Sequence, residues 1–328
     1  MKFFLTGGSG FIGTNLVAEL LRRGDEVANF DKVAPRCPDH AGLWTKGDLL
    51  DAEALRNAMA VFAPDFVFHL GARADCDEST TVEEGYRENT EGTANFLKAA
   101  QSVPSLKRAV IISSQYVAGP GRLPLGDDDY FPHTVYGQSK VITEQLTRKA
   151  DLSYCWTLVR PTNVWGPWHW RYPKEFWRIA AKGLYFHPGG APVMRCYAYV
   201  GNIIWQMLRV LELPTEEVNR QTFYVGDEVA DIYHWASGFS KALCGRSAPK
   251  VPRPLLRGIA LAGDVITALR GKQFYLTSPR YRSMTGDYPT PMERTFRVLG
   301  KGPFSLDDGI RDTVSWLRKY GGPEFRIE

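Results

Sequence analysis

The chain has 328 residues, 44% of them apolar and 23% charged, which is globular composition with enough length for one large α/β unit and a smaller lobe. Its formal net charge of +4 is small and its Lys and Arg residues do not gather into runs, which argues against a nucleic-acid partner. Cys37, Cys76, Cys155, Cys196 and Cys244 are widely spaced, with no pair at metal-ligand spacing, so they read as reduced, packed thiols and no metal is expected.

From the amino end, Met1 to Thr6 reaches glycines before a signal-peptide apolar region could form, and a cytoplasmic protein is expected. Strands are predicted at residues 2–6, 26–30, 66–70, 109–113 and 155–160, and helices at 11–23, 52–60, 86–102 and 136–150. This alternation of short β-branched or aromatic runs with longer helical patterns predicts a doubly wound parallel sheet of the α/β class. After Asn163 the aromatic run 165–173 ends the alternation. Residues 1–165 are therefore read as one domain and 166–328 as a smaller lobe. A strand near 222–226 is expected to return to the main sheet, which would interleave the two. The apolar stretch 255–269 is broken by Arg257 and Asp264 and is too short to span a bilayer. A packed helix is expected there, with a membrane-surface helix as the alternative.

The first strand feeds Gly7-Gly8-Ser9-Gly10-Phe11-Ile12-Gly13 and then a helix. Glycines stand where the backbone turns sharply and approaches a pyrophosphate, and amides of the helix start, Phe11 and Ile12 among them, would face the phosphates. An ordinary tight turn explains such a run equally well by itself. Asp31, after the second strand, adds a carboxylate at the distance that suits adenosine ribose hydroxyls, and it would repel a 2′-phosphate. Together these predict a Rossmann-type domain that binds NAD rather than NADP, although Lys32 beside Asp31 leaves the preference open. The alternative for Asp31 is a turn cap.

Tyr136-Gly137-Gln138-Ser139-Lys140 starts the fourth predicted helix, with Tyr136 and Lys140 on one face. A phenol of pKa about 10 becomes a useful base where a nearby ammonium and a nicotinamide cation stabilise its phenolate. The strand ending Ile111-Ile112-Ser113-Ser114 delivers hydroxyls to the carboxyl edge of the sheet. There Ser114 would hold a reacting oxygen while Tyr136 exchanges its proton.

With these parts in place, the chain resembles an extended short-chain dehydrogenase/reductase of the nucleotide-sugar epimerase and dehydratase group. Gly7, Gly10 and Gly13 fit that group's wider glycine spacing, and the likeness runs on through Gly47-Asp48-Leu49, His69 to Ala72, Asn89, the Ser114, Tyr136 and Lys140 set, Arg160 to Pro167 and Arg195, to the closing segments 304–310 and 316–317. The resemblance implies that Asp48 and Leu49 flank the adenine, that Leu70, Gly71 and Ala72 line the cofactor and that Pro161 and Thr162 abut the nicotinamide. Lys140 would also bind the nicotinamide ribose. Asn163 and Arg195 would meet the diphosphate of a nucleotide-diphosphate sugar. It also implies a homodimer built on the helices at 86–102 and 136–150, and a place in polysaccharide biosynthesis.

Two positions depart from the group. Ala118-Gly119 stands where Tyr-Gly is frequent, and Gln115 and Tyr116, which would lie beside the substrate, replace the Asp and Glu of sugar 4,6-dehydratases. Without that acid and base, elimination of water is not expected. The resemblance thus implies epimerisation, foremost at C4. The alternative is a net oxidoreductase, either a nucleotide-hexulose reductase or a 3β-hydroxysteroid dehydrogenase, to which Pro252-Arg253-Pro254-Leu255-Leu256 and its apolar helix lend some support. A non-catalytic NAD-binding regulator is a third reading. His169 is either an extra proton donor or a solvated loop residue. The tryptophans Trp165, Trp168, Trp170 and Trp177 are either stacking platforms or packing groups.

Overall fold

The computed structural model describes residues 1–172, 176–271 and 274–325, so Pro173 of the aromatic run lies outside the described residues. The chain forms two compact units, each assembled from three stretches. The first comprises Met1–Val164, Ala198–Asp227 and Thr290–Pro303; the second comprises Trp165–Tyr197, Glu228–Pro289 and Phe304–Glu328.

The first unit is built on a seven-stranded sheet. Its strands are β1 (Lys2–Thr6), β2 (Glu26–Asp31), β3 (Trp44–Lys46), β4 (Phe66–His69), β5 (Arg108–Ile112), β6 (Cys155–Pro161) and β7 (Gln221–Val225), in the order β7-β6-β5-β4-β1-β2-β3. Every neighbouring pair is parallel. Phe3, Leu5, Val67, Phe68, Val110 and Ile111 are wholly buried, as central parallel strands covered on both faces must be. The helices α1 (Phe11–Arg22), α2 (Ala52–Phe62), α3 (Arg87–Gln101), α4 (Val135–Lys149) and α5 (Val200–Glu212) complete this unit's main framework. This is the doubly wound Rossmann-type fold expected from the alternation.

The interleaving is wider than a single returning strand, since Ala198–Asp227 and Thr290–Pro303 belong to the first unit rather than to the lobe read over 166–328; the other differences are local. β3 is three residues long at the sheet edge and carries no periodic signal. The third helix starts at Arg87 rather than at residue 86, because Tyr86 takes a non-helical φ of −127° and ψ of 33°. Its ring is buried and its hydroxyl bonds to Asp75 and Asp77 instead.

In the second unit the core is aromatic. Trp165 and Trp177 are wholly buried. Trp165 meets Phe239 edge-on at 5.3 Å, and Trp177 lies 5.5 Å from the same ring. These two indoles are packing groups, which decides between the alternatives left open for them. α6 (Ile232–Cys244) presents Trp235 and Phe239 to this cluster and is capped by Asp231. α7 (Arg253–Arg270) follows and ends at Gly271, whose φ is +62°. Leu256, Ala260 and Leu276 form a small cluster with the inner face of α7. The unit closes with α8 (Ser278–Thr285) and α9 (Leu306–Tyr320), the latter started by a capping box between Ser305 and Asp308.

Candidate active site

The loop between β1 and α1 is held by backbone contacts that exclude side chains. Gly7 has a φ of +74°, and a Cβ there would come within 2.5 Å of the Gly71 backbone nitrogen. A Cβ on Gly13 would lie 2.3 Å from the Gly7 carbonyl oxygen, so the first turn of α1 fits against the loop only as glycine. Gly10, which has no side chain to cap the helix, stands at the N-cap, and Phe11 and Ile12 open α1. The positive end of the helix dipole therefore sits at the loop.

Asp31 ends β2 beside this loop. Its Oδ2 accepts the Ser9 amide at 3.0 Å and its Oδ1 accepts the Val33 amide at 2.9 Å. Burial pushes its carboxyl up, against the opposing pull of those amides. Two accepted bonds leave acceptor capacity on a carboxylate. The turn-cap and ribose readings of Asp31 are thus compatible. Lys32 is engaged elsewhere, since its ammonium bonds to the Glu88 carboxylate and so does not stand as a lone cation for a 2′-phosphate. Asp48 Oδ1 accepts the Leu50 amide at 2.9 Å, and Leu49 is buried. Leu49 also limits the space at Gly71, where a Cβ would come within 2.8 Å of its Cδ1. The Leu70 and Gly71 amides bond to the Thr6 carbonyl and hydroxyl at 3.0 and 3.2 Å, and Ala72 follows them. His69, stacked on Phe96 at 4.1 Å and bonded to Thr6, is driven down to about 3 by burial and stays neutral.

The sheet edge one crossover away carries the second group. Ser114 follows β5 and accepts the Tyr116 amide at 3.2 Å, which starts a short turn over Gln115–Val117. Thr134 caps α4 through the Gly137 amide at 2.9 Å, and from that helix Tyr136 and Lys140 point inward, 8% and 2% exposed. The Ser114 side chain acts to lower the Tyr136 phenol against the push of burial, and the Tyr136 ring meets Tyr116 edge-on at 6.0 Å. Lys140 Nζ donates to the Ile112 carbonyl at 3.0 Å. Burial pulls the lysine down to about 8, opposed by Glu144.

Burial pushes the Tyr136 phenol above its ordinary value, and Ser114 only partly opposes this. One donor of the Lys140 ammonium is held by the Ile112 carbonyl.

On the far side, Pro161 pairs with Val225, and the Thr162 amide donates to the Val225 carbonyl at 3.2 Å. Asn163 opens the next short strand. Arg195 belongs to the second unit, where its Nε donates to the Gly286 carbonyl at 2.8 Å. His169 lies 4.4 Å from the Tyr172 ring, and burial drives it down to about 4. The residue is half-buried, and the lowered value keeps its ring neutral near pH 7.

The family model for the NAD dependent epimerase/dehydratase family matches residues 3–226. The chain belongs to that family. NAD is the family's cofactor, and the side-chain-free cradle of Gly7 and Gly13 beside Asp31 suits it. Among relatives of this family member, a 3-beta-hydroxysteroid dehydrogenase of Mycolicibacterium neoaurum is 31% identical over 267 residues, covering 76% of this chain and 72% of the relative. A 4-epimerase of Escherichia coli O157:H7, named for N-acetyl-α-D-glucosaminyl-diphospho-ditrans,octacis-undecaprenol, is 26% identical and covers 95% of this chain and 94% of its own. The structure of a UDP-glucuronic acid 4-epimerase from Bacillus cereus, with UDP-glucuronic acid and NAD bound, has the same fold. It aligns with a TM-score of 0.72 at 19% identity and covers 97% of this chain and 99% of its own.

Beneath the tyrosine and lysine of this epimerase/dehydratase family chain lies a buried network that the sequence reading overlooked. Glu144, wholly buried one turn beyond Lys140, receives Arg160 Nε and Nη2 at 2.8 Å each. It also accepts the Ser113 hydroxyl at 2.5 Å and the Tyr130 hydroxyl at 3.0 Å. Asn89, also wholly buried, bonds to Ser139 Oγ at 2.8 Å and to both backbone groups of Arg73. A signal was present: Tyr136, Lys140 and Glu144 are four residues apart on one face, and Arg160 is the one charged residue of a buried strand. Opposite charges on two buried elements have to find each other.

Proposed function

We propose that this protein epimerises a nucleotide-diphosphate sugar, at C4, through a transient keto-sugar. The observation that carries the reading is that Ser114 and Tyr136 stand close enough for the serine side chain to act on the phenol, with Lys140 buried on the same helix face, at the carboxyl edge of a sheet whose first loop is the glycine cradle. Its 26% identity to a sugar 4-epimerase over 95% of the chain adds support. Asp31 and the loop amides hold the dinucleotide, with Leu49, Gly71, Pro161 and Thr162 closing around it. NAD, when bound, supplies hydride acceptance at the carbinol carbon and hydride return. Ser114 holds the sugar hydroxyl, and Tyr136 takes its proton and gives it back after the keto-sugar has turned over. Gln115 and Tyr116 provide no carboxylates for elimination of water, which favours epimerisation over dehydration.

The test is a panel of UDP-sugars incubated with substoichiometric NAD, with products separated by chromatography. Conversion should continue on catalytic NAD, without lasting accumulation of NADH, and substrate deuterated at the reacting carbon should keep its label. The 31% identity to a 3-beta-hydroxysteroid dehydrogenase favours a second reading, net oxidation of an apolar alcohol. Stoichiometric NADH from a 3β-hydroxysteroid with no UDP-sugar converted would replace the first reading by the second.

A further inference from the structure

Helix α7 buries only one of its faces. Leu256, Ala260 and Gly263 turn inward, and a Cβ on Gly263 would come within 2.0 Å of the Leu276 carbonyl oxygen. Turned away from them, Leu255, Leu261, Val265 and Leu269 are 58%, 55%, 59% and 81% exposed. At about 100° per residue, these four and the exposed Ala262 and Ala268 fall on one continuous arc of about 140°. No polar side chain interrupts that arc; the exposed Arg257 and Arg270 border it on its two sides. A patch of this kind marks a surface made to be covered.

The charge around it is uneven in a way that the small overall balance conceals. Residues 245–286 carry eight Lys or Arg against a single acid, Asp264, whose carboxylate is bonded to the Ser278 amide and hydroxyl. The whole chain is only +4, so the remainder is net negative. Among the described residues no helix is long and apolar enough to cross a membrane.

We propose that α7 docks the protein on an anionic phospholipid bilayer, lying in the interface plane with Leu261, Val265 and Leu269 at the acyl boundary and the flanking arginines on lipid phosphates. The membrane-surface alternative for this stretch is thereby preferred to a helix packed on all sides. A second copy of the chain is a poorer occupant, because pairing two such faces sets a strongly basic segment against itself.

The full chain is sedimented with vesicles of equal parts phosphatidylglycerol and phosphatidylcholine, and separately with phosphatidylcholine alone. It should partition onto the anionic vesicles at least about tenfold better, and Arg257→Ala should weaken that partitioning roughly fivefold. The double variant Leu261→Glu with Val265→Glu, at two exposed positions, should lower it about a hundredfold or more while keeping the parent's melting curve. Protein that stays in the supernatant with anionic vesicles overturns the proposal. So does a double variant that sediments like its parent. A smaller mass for the double variant by light scattering without lipid overturns it in favour of self-association.

Discussion

The glycine loop and the inner face of α4 both belong to the proposed site, yet they are constructed on opposite principles. The loop works through what it lacks: Gly7 and Gly13 leave no room for a Cβ, and the groups presented are amides and one carboxylate at a strand end. The face of α4 works through what it buries. Tyr136, Lys140 and Glu144 form a column of ionisable groups in the interior, and Glu144 is matched by Arg160 from β6. A loop defined by the backbone tolerates few side chains but needs few distant partners. A helix face defined by buried polar groups needs each partner in place, since an unmatched one keeps its full desolvation penalty.

Three substitutions probe that contrast. Tyr136→Phe removes one hydroxyl and little volume, so turnover should fall by about 10²–10⁴-fold while NAD affinity by calorimetry stays near the parent value. Activity within a few-fold of the parent would take Tyr136 out of the mechanism. Glu144→Gln keeps the shape and strands the Arg160 cation inside, so denaturant unfolding should show a loss of about 3–5 kcal/mol. A loss below roughly 1 kcal/mol would mean that the column does not depend on its counter-charge. Asp31→Ala acts on the loop, where the Ser9 and Val33 amides lose an acceptor. NAD binding should weaken by about 1.5–3 kcal/mol, with a smaller effect on unfolding than that of Glu144→Gln. If Asp31→Ala destabilised the fold more than Glu144→Gln, the contrast between the two regions would be reversed.

Much of the loop and the sheet was legible because the rules involved are local. Strand burial on both faces gives continuous apolar runs, glycine spacing reports a backbone constraint, and the spacing of Asp31 from the glycines places a carboxylate at the end of the second strand. Helix α4 was half legible. Tyr136 and Lys140 share a face by helical spacing, whereas their electrostatic state depends on groups that the spacing does not reveal. The Ile112 carbonyl takes the lysine, and burial raises the phenol. His169 behaves likewise, since its partial burial near Tyr172 makes it a neutral ring.

The sequence by itself determined the class of the fold, the order of its first strands and helices, the glycine cradle and the residues that could exchange a proton, because each is encoded within a few turns of chain. Only the tertiary structure decided what those residues are bonded to. It paired Glu144 with Arg160, gathered Trp165, Trp177 and Phe239 from distant segments into one core, and left one apolar face of α7 in water. The physical reason is the same in each case. Burial is a property of surfaces that meet in space, and the free energy of a charge, an indole or an exposed leucine depends on which surface meets it.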